Sequence, residues 1–397
     1  MQTPRTVAAT TGIRRAAMRV CTPHCGLDPE TRLGGEMYEI EVLREMATRG
    51  IVFDILLARH KRHPDGVPNW TVHRLPIGRG LRWPVAAVVL PPAIRRVYRA
   101  TGFDLLRVHS LRYIGPAALA ARSWYGVDVP VVAHHHHLDP SRLNRVIEGP
   151  VMRAVERVIV GSDFARRQAV EQLGVPAERF AVVPYGVDRT LSPGPRPEAL
   201  ARRLGVAGAP VVLSLGSLEP RKNLGFLLEV WQDVVRTRPD ARLVVAGGGR
   251  LDAELRGRAR ALGIESSVVF TGHVPAAEKL DYYRLADMLV FPSTMEGFGL
   301  VVAEAMSCGL PVLVSDRGSL PELVVPAAGG LLADPSDRSA FVRGILTLLG
   351  DPAIRRRFGT ANRERVERLF RWDVCAAATA RVYEEVLEAW RARRRPR

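Results

Sequence analysis

Phe291-Pro-Ser-Thr-Met-Glu-Gly-Phe-Gly-Leu-Val-Val-Ala-Glu-Ala-Met306 carries a strand end, a glycine-bearing loop and a helix start in direct succession. Phe291 closes a short apolar run, Gly297 and Gly299 turn the chain, and a helix is expected from about Gly299 to Ser307. It stops at Cys308-Gly309, with Pro311 beyond. Such a helix N-terminus offers unpaired N–H groups to an anion such as a diphosphate. Glu304 falls inside Leu-Val-Val-Ala-Glu-Ala-Met, where its neighbours expect burial, and a buried carboxylate needs donors. Vicinal sugar hydroxyls, such as those of a ribose, would satisfy both its oxygens; so would adjacent backbone or an arginine.

Outward from this stretch the same beat continues. Strands are expected at Val211–Ser214, Arg242–Ala246, Ser267–Phe270, Met288–Phe291 and Val312–Ser315, with helices at 224–236, 251–262, 277–285 and 299–307 between them. The first half alternates likewise, with strands at 19–22, 53–58, 105–109, 129–133, 158–161 and 180–183. Strands alternating with helix-length amphipathic segments predict an α/β chain with parallel sheets and crossover helices. A length of 397 residues is too great for one ordinary core. Ser192-Pro-Gly-Pro-Arg-Pro197 suits a surface linker and puts the division near residue 190. Two doubly wound sheets would face a cleft beyond the carboxyl ends of their strands. Residues 1–17 are expected to be a disordered extension preceding a start at Met18.

Glu296 and Glu304 stand seven residues apart within Glu296-Gly-Phe-Gly-Leu-Val-Val-Ala-Glu-Ala-Met-Ser-Cys-Gly-Leu-Pro-Val-Leu-Val-Ser-Asp316, which resembles the E-x7-E signature of glycosyltransferase family four. The resemblance implies a GT-B architecture of two Rossmann-like domains. They would span 18–190, binding the acceptor, and 191–373, binding the nucleotide sugar, with a helix over 374–397 crossing back. It implies that Glu304 binds the donor ribose, that Glu296 reaches the transferred sugar, and that Phe298, Gly299 and Leu300 lie against sugar and phosphate.

In Leu215-Gly-Ser-Leu-Glu-Pro-Arg-Lys-Asn223, Arg221 and Lys222 would leave the carboxyl end of a strand toward a diphosphate and offset the charge that develops on it. Cations are disfavoured at the positive end of a helix and need a reason to be there. Many relatives place an arginine directly after the glycine where this chain has Ser217. The paired glycines of Arg32-Leu-Gly-Gly-Glu36 let backbone approach a ligand, and the resemblance lays Gly34 and Gly35 beside donor phosphates and acceptor. In Val131-Val-Ala-His-His-His-His-Leu-Asp139 the side chains of His134 and His136 share one face. The family's sugar-contacting histidine falls at His136, within a run from His134 to His137 that leaves the register open by one. Val158-Ile-Val-Gly-Ser-Asp-Phe164, Val183-Pro-Tyr-Gly-Val-Asp188 and Phe370-Arg-Trp-Asp373 are similar to further family segments. Phe270-Thr-Gly-His-Val274 resembles the part near the nucleotide base, with Val274 as the contact.

The sequence contains no D-x-D triplet, so no metal anchor and no cofactor are expected. The resemblance implies retention of anomeric configuration by same-face attack, with a hexose-type sugar moved from a nucleotide-diphosphate sugar to a glycan, lipid-linked or small-molecule acceptor. An epimerase or phosphorylase on the same fold and a non-catalytic sugar-nucleotide-binding protein are the competing functions. A phosphorylase would need a pyridoxal-binding lysine, and the second half offers Lys222 and Lys279. The net charge of +16 and 6% aromatic content, without a nucleic-acid module, favour an anionic membrane surface or substrate over nucleic acid. Four scattered cysteines fit a reducing cytoplasm. The apolar, arginine-flanked segment Leu81–Tyr98 reads either as an interfacial patch or as a core helix, with Pro91-Pro92 expected to interrupt it.

Overall fold

The computed structural model describes residues 17–31, 34–78, 84–136 and 142–394. The extension expected over 1–17 lies, Ala17 apart, outside them. In the first half the chain runs through β1 (Arg19–His24), α1 (Gly34–Thr48), β2 (Val52–Ala58), β3 (Trp70–Leu75), α2 (Pro84–Thr101) and β4 (Leu105–Val108). It continues through α3 (Ile114–Tyr125), β5 (Val131–His135), α4 (Arg142–Ala154), β6 (Arg157–Val160), α5 (Asp163–Leu173) and β7 (Phe180–Val182). The second half holds α6 (Glu198–Arg203), β8 (Val211–Leu215), α7 (Leu224–Thr237), β9 (Arg242–Ala246), α8 (Asp252–Ala261), β10 (Val268–Gly272) and α9 (Lys279–Leu285). There follow β11 (Met288–Phe291), α10 (Leu300–Ser307), β12 (Val312–Ser315), α11 (Leu320–Leu323), β13 (Gly330–Ala333), α12 (Arg338–Gly350), α13 (Pro352–Leu369) and α14 (Trp372–Ala392).

Two parallel sheets result, ordered β3-β2-β1-β4-β5-β6-β7 and β10-β9-β8-β11-β12-β13. The central strands are buried from both faces, which is why Val-Val-Leu-Ser-Leu in β8 and Met-Leu-Val-Phe in β11 read as nearly continuous apolar runs. Chain order reverses between β1 and β4 in one sheet and between β8 and β11 in the other. Crevices open at such reversals, beyond the carboxyl ends.

Two strands went unseen in the sequence. β3 is a half-exposed edge strand carrying His73 and Arg74, and β13 is a four-residue edge strand opened by glycine; neither has the buried run that flags a central strand. The interruption expected at Pro91-Pro92 is corrected, since α2 passes through both prolines. Leu90, Ala93, Ile94 and Val97, spaced one helical turn apart, are buried in the apolar cluster that α2 shares with α3. That burial, about 1.5–3 kcal/mol per large side chain, outweighs the lost backbone hydrogen bonds. Leu81 to Trp83 lie outside the described residues.

The chain crosses from the first sheet to the second after β7, along a Pro-Gly segment that Arg284 pins by bonds to the Ser192 carbonyl and hydroxyl. It returns at Phe370–Trp372, where α14 packs on α1 and buries Trp372, Ala376, Thr379, Tyr383 and Val386. The two crossings touch. Val187 N–H donates to the Phe370 carbonyl at 2.8 Å, and a Cβ on Gly186 would lie 2.3 Å from Trp372 N.

Candidate functional site

Loops after β8 and β11 flank the reversal in the second sheet. Pro220–Lys222 forms a single 3-10 turn, and Asn223 adopts the left-handed conformation (φ 56°) that redirects the chain into α7. Arg221 Nη1 and Lys222 Nζ each donate to Glu296 Oε1 at 2.6 Å, and Ser293 Oγ joins them at 2.8 Å. The three residues expected here therefore meet on one oxygen, and that carboxylate explains two cations at a helix start. Oε2 of Glu296 has no partner among the described residues. Lys222 is nearly buried, with Nζ 4.5 Å over the Phe291 ring. Burial and the neighbouring Arg221 charge lower its pKa from the ordinary lysine value, against the pull of Glu296. Gly318 (φ 64°) keeps the next loop against Glu296, where a Cβ would lie 2.7 Å from the Glu296 carbonyl.

Glu304 is buried on α10 as expected, but its partners in the protein are neither backbone nor arginine. Tyr283 Oη donates to Oε2 at 2.5 Å, and Lys279 Nζ reaches both oxygens at 3.2 Å. Lys279 and Tyr283 are one turn apart on α9 and so present a joint face to the carboxylate. Burial and the Glu304 charge push the Tyr283 phenol well above its ordinary range. Sequence reading did not connect these two to Glu304, nor did it single out Ser293; the four-residue spacing on α9 was the available signal.

Gly299 caps α10 with φ 93°, and a Cβ there would lie 2.8 Å from Leu320 Cδ2. The buried Phe298 packs at a tilt against Tyr185 (centroids 4.9 Å) and edge-to-face against Phe370 (5.8 Å). Gly34 and Gly35 open α1 between the two halves: a Cβ on Gly34 would meet Leu300 Cδ1 at 3.5 Å, and one on Gly35 would meet His136 Cδ2 at 3.6 Å. Val274 is buried just after β10, in the same apolar cluster as Phe298 and Leu300. The run Gly247-Gly-Gly249 after β9 was not picked from the sequence, although it is demanded by packing. A Cβ at Gly247 would fall 1.8 Å from the Gly216 carbonyl oxygen and one at Gly249 2.6 Å from Leu218 backbone, so the loops after β8 and β9 lie main chain on main chain.

Across the cleft, His134 and His136 share a face, and both rings lie against Tyr38. His134 is bonded to Tyr38 Oη (3.1 Å) and Tyr383 Oη (2.8 Å), a structural role. His136 Nδ1 meets Tyr185 Oη at 2.6 Å and Nε2 meets Glu39 Oε1 at 3.1 Å. His137 lies outside the described residues. Glu39 was not anticipated. It is buried, ion-paired with the buried Arg107 and 3.8 Å from His24 Nε2. Burial works against its charge, yet Arg107, His136 and His109 together hold its carboxyl well below the usual range. His24 and His109 stack at 4.2 Å, and burial pulls His109 down to about 4. His24, Glu39 and His109 are close enough to share a metal ion, but Arg107 already supplies a cation to this carboxylate. The four cysteines are free thiols.

The halves are fastened beside the site. Ser162 Oγ donates to the Gly297 carbonyl at 2.7 Å, and the N–H groups of Asp163 and Phe164 at the start of α5 donate to Glu322 at 2.8 and 2.6 Å.

Comparison with known proteins accords with this architecture. Residues 197–365 match the family described as "Glycosyl transferases group 1", and residues 33–191 match "Glycosyltransferase Family 4". The D-inositol 3-phosphate glycosyltransferase of Kineococcus radiotolerans is 32% identical over 319 residues, covering 72% of each chain. That of Xylanimonas cellulosilytica is 30% identical over 91% of this chain and 93% of its own. Glycogen synthase of Mycobacterium tuberculosis is 29% identical over 304 residues, covering 74% of this chain and 70% of its own. Among solved structures, sucrose-phosphate synthase from Thermosynechococcus elongatus superposes with a TM-score of 0.77 at 24% identity, covering 94% of this chain and 100% of that one. Anabaena HepE in complex with UDP-glucose superposes with a TM-score of 0.75 at 21% identity, covering 93% and 100%.

Proposed function

The chain belongs to the group 1, family 4 glycosyl transferases, and from that premise we propose that it moves a hexose-type sugar from a nucleotide-diphosphate sugar to a hydroxylated acceptor with retention of configuration and without a metal. The observation that carries this reading is the convergence of Arg221 and Lys222 on Glu296 at the β8–β11 reversal, with Oε2 of Glu296 left for a ligand. Two cations beside the leaving diphosphate offset its growing charge as the bond from the anomeric carbon to phosphate oxygen breaks. The acceptor oxygen then bonds to that carbon on the same face, and its proton passes to the departing phosphate oxygen.

Glu304 takes the ribose diol, which displaces the partly exposed Lys279 from its oxygens. Gly34, Gly35, Phe298, Gly299 and Leu300 line the approach, Val274 lies toward the base, and His136 faces the sugar from the first domain. A UDP donor is supported by the relation to a fold that binds UDP-glucose in HepE. Lys222 and Lys279 are both engaged by carboxylates, which disfavours a pyridoxal-binding role. A lipid-linked acceptor on an anionic surface suits the charge of +16 and the exposed Val88 and Trp124 of the first domain.

A thermal-shift panel of nucleoside diphosphates and nucleotide sugars without added metal, on wild type and Glu304→Ala, tests the donor site. Stabilisation of wild type alone by one nucleotide supports it; no response from either chain overturns it. NMR of the product anomer then decides retention.

A further inference from the structure

The two oxygens of Glu39 serve different partners. Oε2 is paired with Arg107 on β4, and Oε1 meets His136 Nε2 at 3.1 Å. On the far edge of the same ring, Nδ1 meets Tyr185 Oη at 2.6 Å. The Tyr185 ring in turn rests on Phe298, next to the residue that caps α10 in the other domain. A neutral imidazole has one N–H and one lone pair, and an ionised carboxylate can only accept. Burial keeps the Tyr185 phenol protonated and Arg107 keeps Glu39 ionised. On the neutral ring the hydrogen therefore sits on Nε2, leaving Nδ1 to accept from the tyrosine hydroxyl.

We propose that Glu39 is a positioning residue that fixes His136 as its Nε2–H tautomer and so aims the Tyr185 hydroxyl and seats Phe298 across the domain boundary. The carboxylate sets this direction, because the other tautomer would turn a lone pair toward it with no hydrogen between the two. The effect on turnover rests on the transferase reading above; the tautomer does not.

The test is long-range ¹H–¹⁵N correlation of the full chain labelled with ¹⁵N-histidine, recorded at pH 8, with His136 assigned by its absence in His136→Gln. Wild type should show a protonated Nε2 and a bare Nδ1, and Tyr185→Phe should keep that pattern because Glu39 remains. Glu39→Gln can accept or donate, so the two nitrogen shifts should move toward each other. With the donor that the thermal panel selects, the same variant should lose about 10- to 100-fold in kcat while KM for the donor changes little, with partial recovery in Glu39→Asp. A bare Nε2 in wild type overturns the proposal. So does an unchanged Glu39→Gln spectrum, or a changed spectrum with unchanged kcat. If Glu39→Gln does not fold, the wild-type and Tyr185→Phe spectra decide. If no nucleotide sugar is turned over at all, the transferase reading fails while the tautomer is still read directly.

Discussion

Replacing Lys222 by methionine separates catalysis from stability at this site. The side chain is nearly buried, so the apolar stem of methionine fills most of the space, and the lost atom is Nζ. Glu296 Oε1 would keep Arg221 at 2.6 Å and Ser293 at 2.8 Å, so no carboxylate is orphaned. One charge-assisted hydrogen bond, worth about 1.5–3 kcal/mol, disappears. The cost of burying an ammonium, which already lowers the Lys222 pKa, disappears with it and offsets part of that loss. The net destabilisation should be about 1–2 kcal/mol, a fall in Tm of roughly 2–8 °C for a domain of this size. Against this, loss of a group that stabilises the leaving diphosphate should cost about 10²–10³ in kcat, or roughly 3–4 kcal/mol. Calorimetry and a donor-turnover assay on the same preparation measure both. A fall in turnover below about fivefold combined with a Tm loss above about 10 °C would refute the reasoning and make Lys222 a packing residue.

Three further outcomes follow from the geometry. Tyr283→Phe should destabilise the second domain by about 1–3 kcal/mol, because Glu304 Oε2 loses its 2.5 Å donor in a buried setting; guanidinium unfolding measures it. Acid should weaken the first domain. Burial holds His109 at about 4 and lowers His24 and His134 as well, so these rings fold in neutral form, and their contribution is complete above about pH 6.5 and drains away as pH falls toward 4. His109 alone accounts for about 3 kcal/mol, visible as a lower unfolding midpoint at pH 5 than at pH 7.5; equal midpoints would contradict it. Glu322→Ala removes the carboxylate that caps α5 from the opposite domain and should raise the radius of gyration measured by X-ray scattering, whereas Glu254→Ala on exposed α8 should not.

Much of this was open to a reader of the sequence because it lies in local order. The central strands of the second sheet are nearly continuous apolar runs; Glu296, Arg221 and Lys222 sit in loops whose glycines and strand ends announce them, and Glu304 stands out as a charge inside the apolar helix that follows. Edge strands such as β3 escaped, since a half-exposed edge needs no continuous apolar run. The partners of Glu304 escaped for another reason. The four-residue spacing of Lys279 and Tyr283 puts them on one face of α9, but that the face meets Glu304 on α10 is set by tertiary contact and not by either segment alone. Glu39 and Arg107 were further hidden, because two opposite charges far apart in the chain read as surface residues until the fold buries them together. Pro91-Pro92 misled in the opposite direction, where a local rule was overruled by the apolar stripe behind it.

The return of α14 onto α1 has a consequence for biosynthesis. The helix that covers Tyr38 and closes over His134 through Tyr383 is translated only after the whole second domain has emerged. The first domain to leave the ribosome is thus the last to be completed, with an apolar face of α1 waiting for its lid through the synthesis of more than half the chain. A nascent chain arrested before Trp372 should bind a hydrophobic-surface chaperone that the released protein ignores.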